Sequence, residues 1–260
     1  MQRALLGGGI TAGLCAYLGV FVILKRIVFM TVALAQIAAL GISLGLFIGL
    51  NPDLVSFILT MVVLVLFWIP FTEKNISRES LLGFSYCFSA ALSIILIAKN
   101  PLAEARGLNL ISGNLLYITW PDIRIIGIAS LLIIVLHLIF FKEFIFVAFD
   151  KETALTTGLK ANMLDFFLYI TIGIMISLSM RICGVIFVFA SLIIPAMIGL
   201  LIAGRISKIF LLSSLVAVSC LSIGLCLSYK WDLPSGPVIV SLYGIAFIVL
   251  AGINVIRQLY

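Results

Sequence analysis

FDKETALTTGLK, residues 149–160, is a polar insert in a chain that is otherwise nearly continuous apolar sequence. It is followed by ANMLDFFLYITIGIMISLSMRICGVIFVFASLIIPAMIGLLIAGR, residues 161–205, which holds two hydrophobic spans. Apolar runs of about 20 residues cross a bilayer as helices. They lack the period-2 alternation of a barrel strand, so a helix bundle is the expected answer. The insert itself reads as a short helix between spans. Asp150 is a good N-cap, Glu152 sits in the first turn where the helix dipole favours an anion, and Gly158 can close the helix as C′. A helix of about two turns is marginal alone and needs something to dock against. Its Thr-rich, weakly amphipathic character argues against lying flat on lipid headgroups. A soluble partner gripping the loop at about 146–162 is the reading that gives the patch a purpose.

Composition agrees. Of 260 residues, 64% are hydrophobic and 10% charged, with mean hydropathy +1.35. A soluble domain carries roughly 25% charged residues, so this chain cannot coat a globule of its size and lipid takes the place of the missing polar surface. The net charge of +6 orients spans rather than binding nucleic acid. Cys15, Cys87, Cys183, Cys220 and Cys226 all fall in apolar runs without a CxxC pair, as small hydrophobes. The first apolar run ends at Lys25-Arg26 rather than at a small-residue cleavage site, so it is expected to be a retained helix.

The pattern predicts an all-α, polytopic bundle, one domain over 1–260, with about nine spans (eight to nine): 4–24, 27–50, 54–70, 80–98, 125–141, 164–180, 183–203, 209–228 and 237–255. The pair meeting at Arg181-Ile182 is the least regular, and a re-entrant or broken helix there flips everything after it. With Lys25-Arg26 in the cytoplasm, alternation puts ten bases inside (Lys25, Arg26, Lys74, Arg78, Lys142, Lys151, Lys160, Arg205, Lys208, Arg257) and six outside (Arg3, Lys99, Arg106, Arg124, Arg181, Lys230), sixteen in all. This bias places the N-terminus outside, the C-terminus in the cytoplasm and the Asp150 patch inside. The longest loop, 99–124, falls outside, with room for a short surface helix and with Tyr117 and Trp120 at headgroup level.

Gly41, Gly45 and Gly49 recur every four residues on one face of the second span, where another backbone can approach. Packing against a neighbouring span explains them more simply than a dimer contact or a moving pore wall. His137, the only histidine, has no acidic residue at helical spacing and is a poor metal-site candidate, since such sites need three or four convergent ligands. Arg181 must snorkel, pair or line water. There is no P-loop, nucleophile elbow, dinucleotide fingerprint or zinc-protease pair. The chain is not read as an enzyme, and any ATP would be bound by another subunit.

Several segments together resemble the permease subunit of the metal-type (zinc/manganese/iron) ABC importers. They are 19–26 (GVFVILKR), 34–44 (LAQIAALGISL), Gly113-Asn114-Leu115-Leu116 with Thr119-Trp120 and Asp122, Phe149 to Ala154 with Gly158, Gly184-Val185, Ser191 to Ala196 including Pro195, and 234–237 (PSGP). The resemblance covers nearly the whole chain. It implies a bacterial inner-membrane homodimer working on two cytoplasmic ATPase subunits, fed with a divalent metal by an extracytoplasmic binding protein, without a cofactor of its own. It further implies that Asp150, Glu152, Ala154 and Gly158 lie in the loop that docks the ATPase. The family's second helix commonly carries Asp and His four residues apart; the matching positions here are Val32 and Gln36. Valine cannot ligate, and the glutamine carbonyl is a weak ligand, so Gln36 is the only metal candidate on that face. Two alternatives follow: the same architecture carrying a metal chelate or a cobalamin-like cargo, or a stand-alone secondary transporter. The latter needs membrane-embedded carboxylates, and none lies well inside a span.

Overall fold

A computed structural model describes residues 1–69, 77–99 and 115–259, with backbone alone at Tyr117, Arg181 and 257–259. Every regular element among them is helical. The helices are α1 Gln2–Leu24, α2 Val28–Ile48, α3 Pro52–Trp68, α4 Arg78–Ala98, α5 Trp120–Ile139, α6 Phe141–Phe149, α7 Lys151–Thr156, α8 Ala161–Cys183, α9 Val185–Ile202, α10 Ile206–Trp231 and α11 Ser235–Leu259, with a 3₁₀ turn at Leu115–Tyr117. Eight are long and apolar enough to cross a membrane. The ninth, α3, has 17 residues and reaches about 26 Å at 1.5 Å per residue, short of a hydrocarbon core of about 30 Å.

Local chemistry sets the ends. The Asn51 side chain accepts from the Asp53 N–H at 3.1 Å with Pro52 at N1. Ser77 caps α4 by accepting from the Ser80 N–H. Thr119 and Asp122 form a capping box at α5. The break expected at Arg181-Ile182 lies instead at Gly184. Those two residues continue α8 through Cys183, and the helix is interrupted where Gly184 takes φ 78° and ψ 164°, a region open only to glycine. Likewise the break expected over 142–165 contains two helices, α6 and α7. The surface helix expected in 99–124 falls mostly on 100–114, outside the described residues, as does Lys74.

α1 is the central post, touching α5, α8, α9 and α10, while α2 gathers α3 and α4; α8 contacts both groups. Close backbone approaches hold the groups together. A Cβ on Gly19 would fall 1.6 Å from the Leu192 carbonyl oxygen, pressing α1 onto α9. Cβ atoms on Gly41 and Gly45 would fall 2.4 Å and 2.6 Å from the Cα atoms of Ser56 and Pro52, so these two glycines seat α3 on α2. Gly49 does not join them. It caps α2 at φ 78° with open space around it, because the helix ends one residue earlier. Serines add hydrogen bonds across the helices: Ser56 Oγ donates to the Ala38 carbonyl at 2.8 Å, and Ser43 and Ser93 hydroxyls meet at 2.7 Å. The 3₁₀ turn plugs one end of the bundle: Leu115 is fully buried, and its N–H donates to Ser235 Oγ at 3.0 Å. Outward, α4 and α11 are mostly exposed and apolar, the surface lipid would cover.

Candidate functional site

The two ends of the bundle differ in kind. At one, Arg3 lies over the Trp120 ring at 5.5 Å and Leu115 packs beneath. At the other, the α1–α2 turn, the start of α4, the α6–α7 loop and the start of α8 converge. The polar insert thus lies at the same end as Lys25-Arg26.

Within it, Asp150 caps α7: its carboxylate accepts from the Thr153 N–H at 3.0 Å and from the Thr153 hydroxyl at 2.5 Å. The hydroxyl first, then the N–H, hold this exposed carboxyl below the usual carboxylate range. Gly158 follows the helix at φ 82°, the left-handed C′ conformation. Ala154 is fully buried against Val147 and Ala161. Glu152, Thr153, Leu155 and Thr156 face out, Leu155 45% exposed. A six-residue helix cannot sustain itself. One buried methyl and its caps fix it, leaving a small polar knob with a leucine at its tip.

A second fixing point lies at Lys151, and the sequence reading did not find it. Asp165, in the second turn of α8, is 4% exposed. Its carboxylate pairs with Lys151 Nζ at 2.7 Å through one oxygen and with Lys25 Nζ through the other. Buried carboxylates need such partners. The signal was available: a lone carboxylate opening an apolar span, with two lysines assigned to the same side by alternation. Only the fold says which lysines meet it.

On α2, Val32 and Gln36 are half-buried on the stripe that includes Phe29, 66% exposed, and Phe47, 50% exposed. The stripe is therefore incompletely covered by this chain. Among the described residues no three His, Cys, Asp or Glu side chains stand together as a metal group. His137 is fully buried. Its Nε2 meets the Thr171 hydroxyl at 3.1 Å, and its ring packs on Tyr17, Phe21 and Phe144 with centroids 5.5, 5.3 and 4.6 Å away. That is a packed, hydrogen-bonded core histidine. Pro195 lies inside α9 and is buried. It removes the donor that would bond the Ser191 carbonyl without ending the helix.

A helical bundle with a capped knob at one end and a partly covered stripe on α2 agrees with the comparison to known families. Residues 1–253 match the model of the ABC 3 transport family. The chain belongs to that family. Among its ABC 3 relatives, the high-affinity zinc uptake system membrane protein ZnuB of Haemophilus influenzae is 28% identical, over 91% of this chain and 91% of its own length. The manganese transport system membrane protein MntC of Listeria innocua is 28% identical, over 96% and 89%. The fold is similar to that of a chain in the structure of PsaBC from Streptococcus pneumoniae in complex with Fab. The TM-score there is 0.85 at 23% identity, covering 96% of this chain and 90% of that one. This ABC 3 member is a multi-pass membrane permease, with eight helices of spanning length among the described residues.

Proposed function

We propose that the chain is the transmembrane subunit of an ATP-binding-cassette importer that moves a divalent transition metal, zinc or manganese and in third place iron, into the cytoplasm. The observation that carries this is α7, a helix too short to stand alone, capped at both ends and presented with its polar face outward beside Lys25-Arg26. Family membership and the zinc and manganese uptake proteins among the relatives support the cargo class. In this reading two copies form the permease, and each offers Asp150, Glu152, Ala154 and Gly158 to a cytoplasmic ATPase. An extracytoplasmic metal-binding protein delivers cargo at the Trp120 end. With α3 counted as a ninth crossing, the termini lie as the charge bias sets them, N outside and C inside the bacterial inner membrane. ATP binding and hydrolysis on the partner shift a two-state equilibrium between inward- and outward-open forms.

The mechanism needs little from α2 beyond passage. A path lined by Val32 and Gln36 strips no hydration shell by strong ligation, so cargo is not held tightly midway and is released by the change of access. The same residues favour a second reading, an importer of a metal chelate, which needs no pore ligands. ATP-dependent uptake in proteoliposomes holding the chain, its ATPase and its binding protein separates them. Radioactive zinc, with manganese and iron as competitors, should accumulate. ATP turnover without uptake of any of the three ions would sink the bare-metal reading and leave the chelate.

A further inference from the structure

The most unusual polar construction in the described residues is the Lys25–Asp165–Lys151 triad. Its three members come from three elements: Lys25 closes α1, Asp165 lies in α8, and Lys151 opens α7. The two lysines take different oxygens of one carboxylate, whose side chain is 6% exposed. Lys25 also sits over the Tyr169 ring at 5.7 Å, one helical turn beyond Asp165. Arg78 approaches the Tyr169 hydroxyl, and its guanidinium donates to the Phe67 carbonyl at 2.7 Å, tying the start of α4 to the end of α3. Both helices pack on α2, where Val32 and Gln36 lie. Charged and aromatic neighbours therefore succeed one another from α7 through α8 and α1 toward α4 and α3.

We propose that Asp165 is the positioning residue that transmits movement of α7 to the helices lining the path. The inference builds on the reading of α7 as the ATPase-docking helix. Besides its covalent links to α6 and α8, α7 touches the rest of the chain through Ala154, whose methyl group can slide, and through Lys151, which is held by charge. Contact through Ala154 resists compression only. The Lys151–Asp165 pair resists pulling as well, and transport requires movement in both senses. A carboxylate holding one ammonium group on each oxygen hands the displacement to α1 and α8 together. Without it, movement of α7 reaches the bundle only through the chain itself and the Ala154 contact, and α1 is no longer carried along with α8.

Spatial continuity alone does not establish coupling, so the test reads movement. The chain carrying Gln36→Cys is reconstituted with its ATPase in proteoliposomes. Thiol labelling at position 36 is measured with and without ATP and vanadate, taking the unsubstituted chain as background for its native cysteines. Lys151→Met and Asp165→Asn are then added, each with copurification of the ATPase and ATP turnover recorded. The expected result is retained assembly and turnover in Lys151→Met, with nucleotide-dependent labelling reduced about fivefold or more, the low end of measured inter-site coupling. Lys151→Arg should restore it, because it keeps the charge. Lys151 is a third exposed at its side chain, so its variants fold even where Asp165→Asn does not. Nucleotide-dependent labelling in Lys151→Met equal to that of the parent would overturn the assignment. A parent that binds the ATPase yet never responds to nucleotide would instead sink the importer reading, and this inference with it.

Discussion

Gln36 is where the chain departs most from what its resemblance leads one to expect, and the departure is chemical. A neutral carbonyl replaces imidazole and valine replaces a carboxylate, so the face that would hold a cation offers it no charge. Gln36→His is expected to lengthen retention of zinc relative to manganese, read as slower release of radioactive metal from proteoliposomes. Unchanged kinetics would move the path off α2. Asp150 gives a second residue-scale expectation. Its carboxyl titrates below the ordinary range because Thr153 donates to its charged form. A depressed folded value means the stabilisation is complete above the unfolded pKa of about 3.9 and lost as pH falls through the lower folded value. Association with the ATPase should therefore be flat from pH 7 down to about 5 as far as this group is concerned. Asp150→Ala should weaken it at every pH in that window; a titration midpoint near neutrality would assign the dependence to another group.

At the scale of elements, α7 and the α2–α3 pair make opposite demands. α7 is held loosely and shaped for contact. Glu152→Lys reverses a charge that faces out at the positive end of the helix, and a bulky residue at Gly158 opposes a φ of 82°. Both should release the ATPase on copurification while leaving the thermal transition of the isolated chain where it was. The α2–α3 pair is held by backbone contact. Gly41→Leu drives side-chain atoms into the Ser56 backbone and is expected to cost about 1–3 kcal/mol, an overpacking penalty, seen as a lower melting temperature in detergent. Much of this was legible beforehand. Hydrophobic length marked out the spans, Asp150 and Gly158 bracketed α7 by capping rules, and Gly41 with Gly45 announced a close neighbour. Other features were not. Gly49 shares the spacing of the packing glycines but serves a turn, since spacing does not say where a helix stops. Arg181 invited a break that belongs to Gly184, because a charge interrupts hydropathy without interrupting hydrogen bonding. Asp165 needed the fold, for its two lysines lie 140 and 14 residues away along the chain.

On the scale of the whole molecule, the apolar exterior and the polar end that carries α7 define how the chain meets its surroundings. α4 and α11 are barely buried, so lipid or a second copy must cover them. The partly covered stripe on α2, with Val32 and Gln36 half-buried, marks the face expected to look toward the translocation axis of a dimer. Cysteine pairs placed across that axis at Val32 and Gln36 should cross-link between copies in membranes; monomeric behaviour throughout would remove the homodimer from the proposal.

Gly19 leaves no room between α1 and the carbonyl of Leu192. Two backbones in that proximity share one fate: neither can turn about its own axis or slide without carrying the other. α1 and α9 are therefore expected to move as one strut during any cycle, with α10, packed on both, travelling with them. Whatever opens and closes the path must be sought at the seams of this strut, chiefly where α2 lies against α9. A disulfide stapling α1 to α9 should leave turnover intact, whereas one stapling α9 to α2 should stop it.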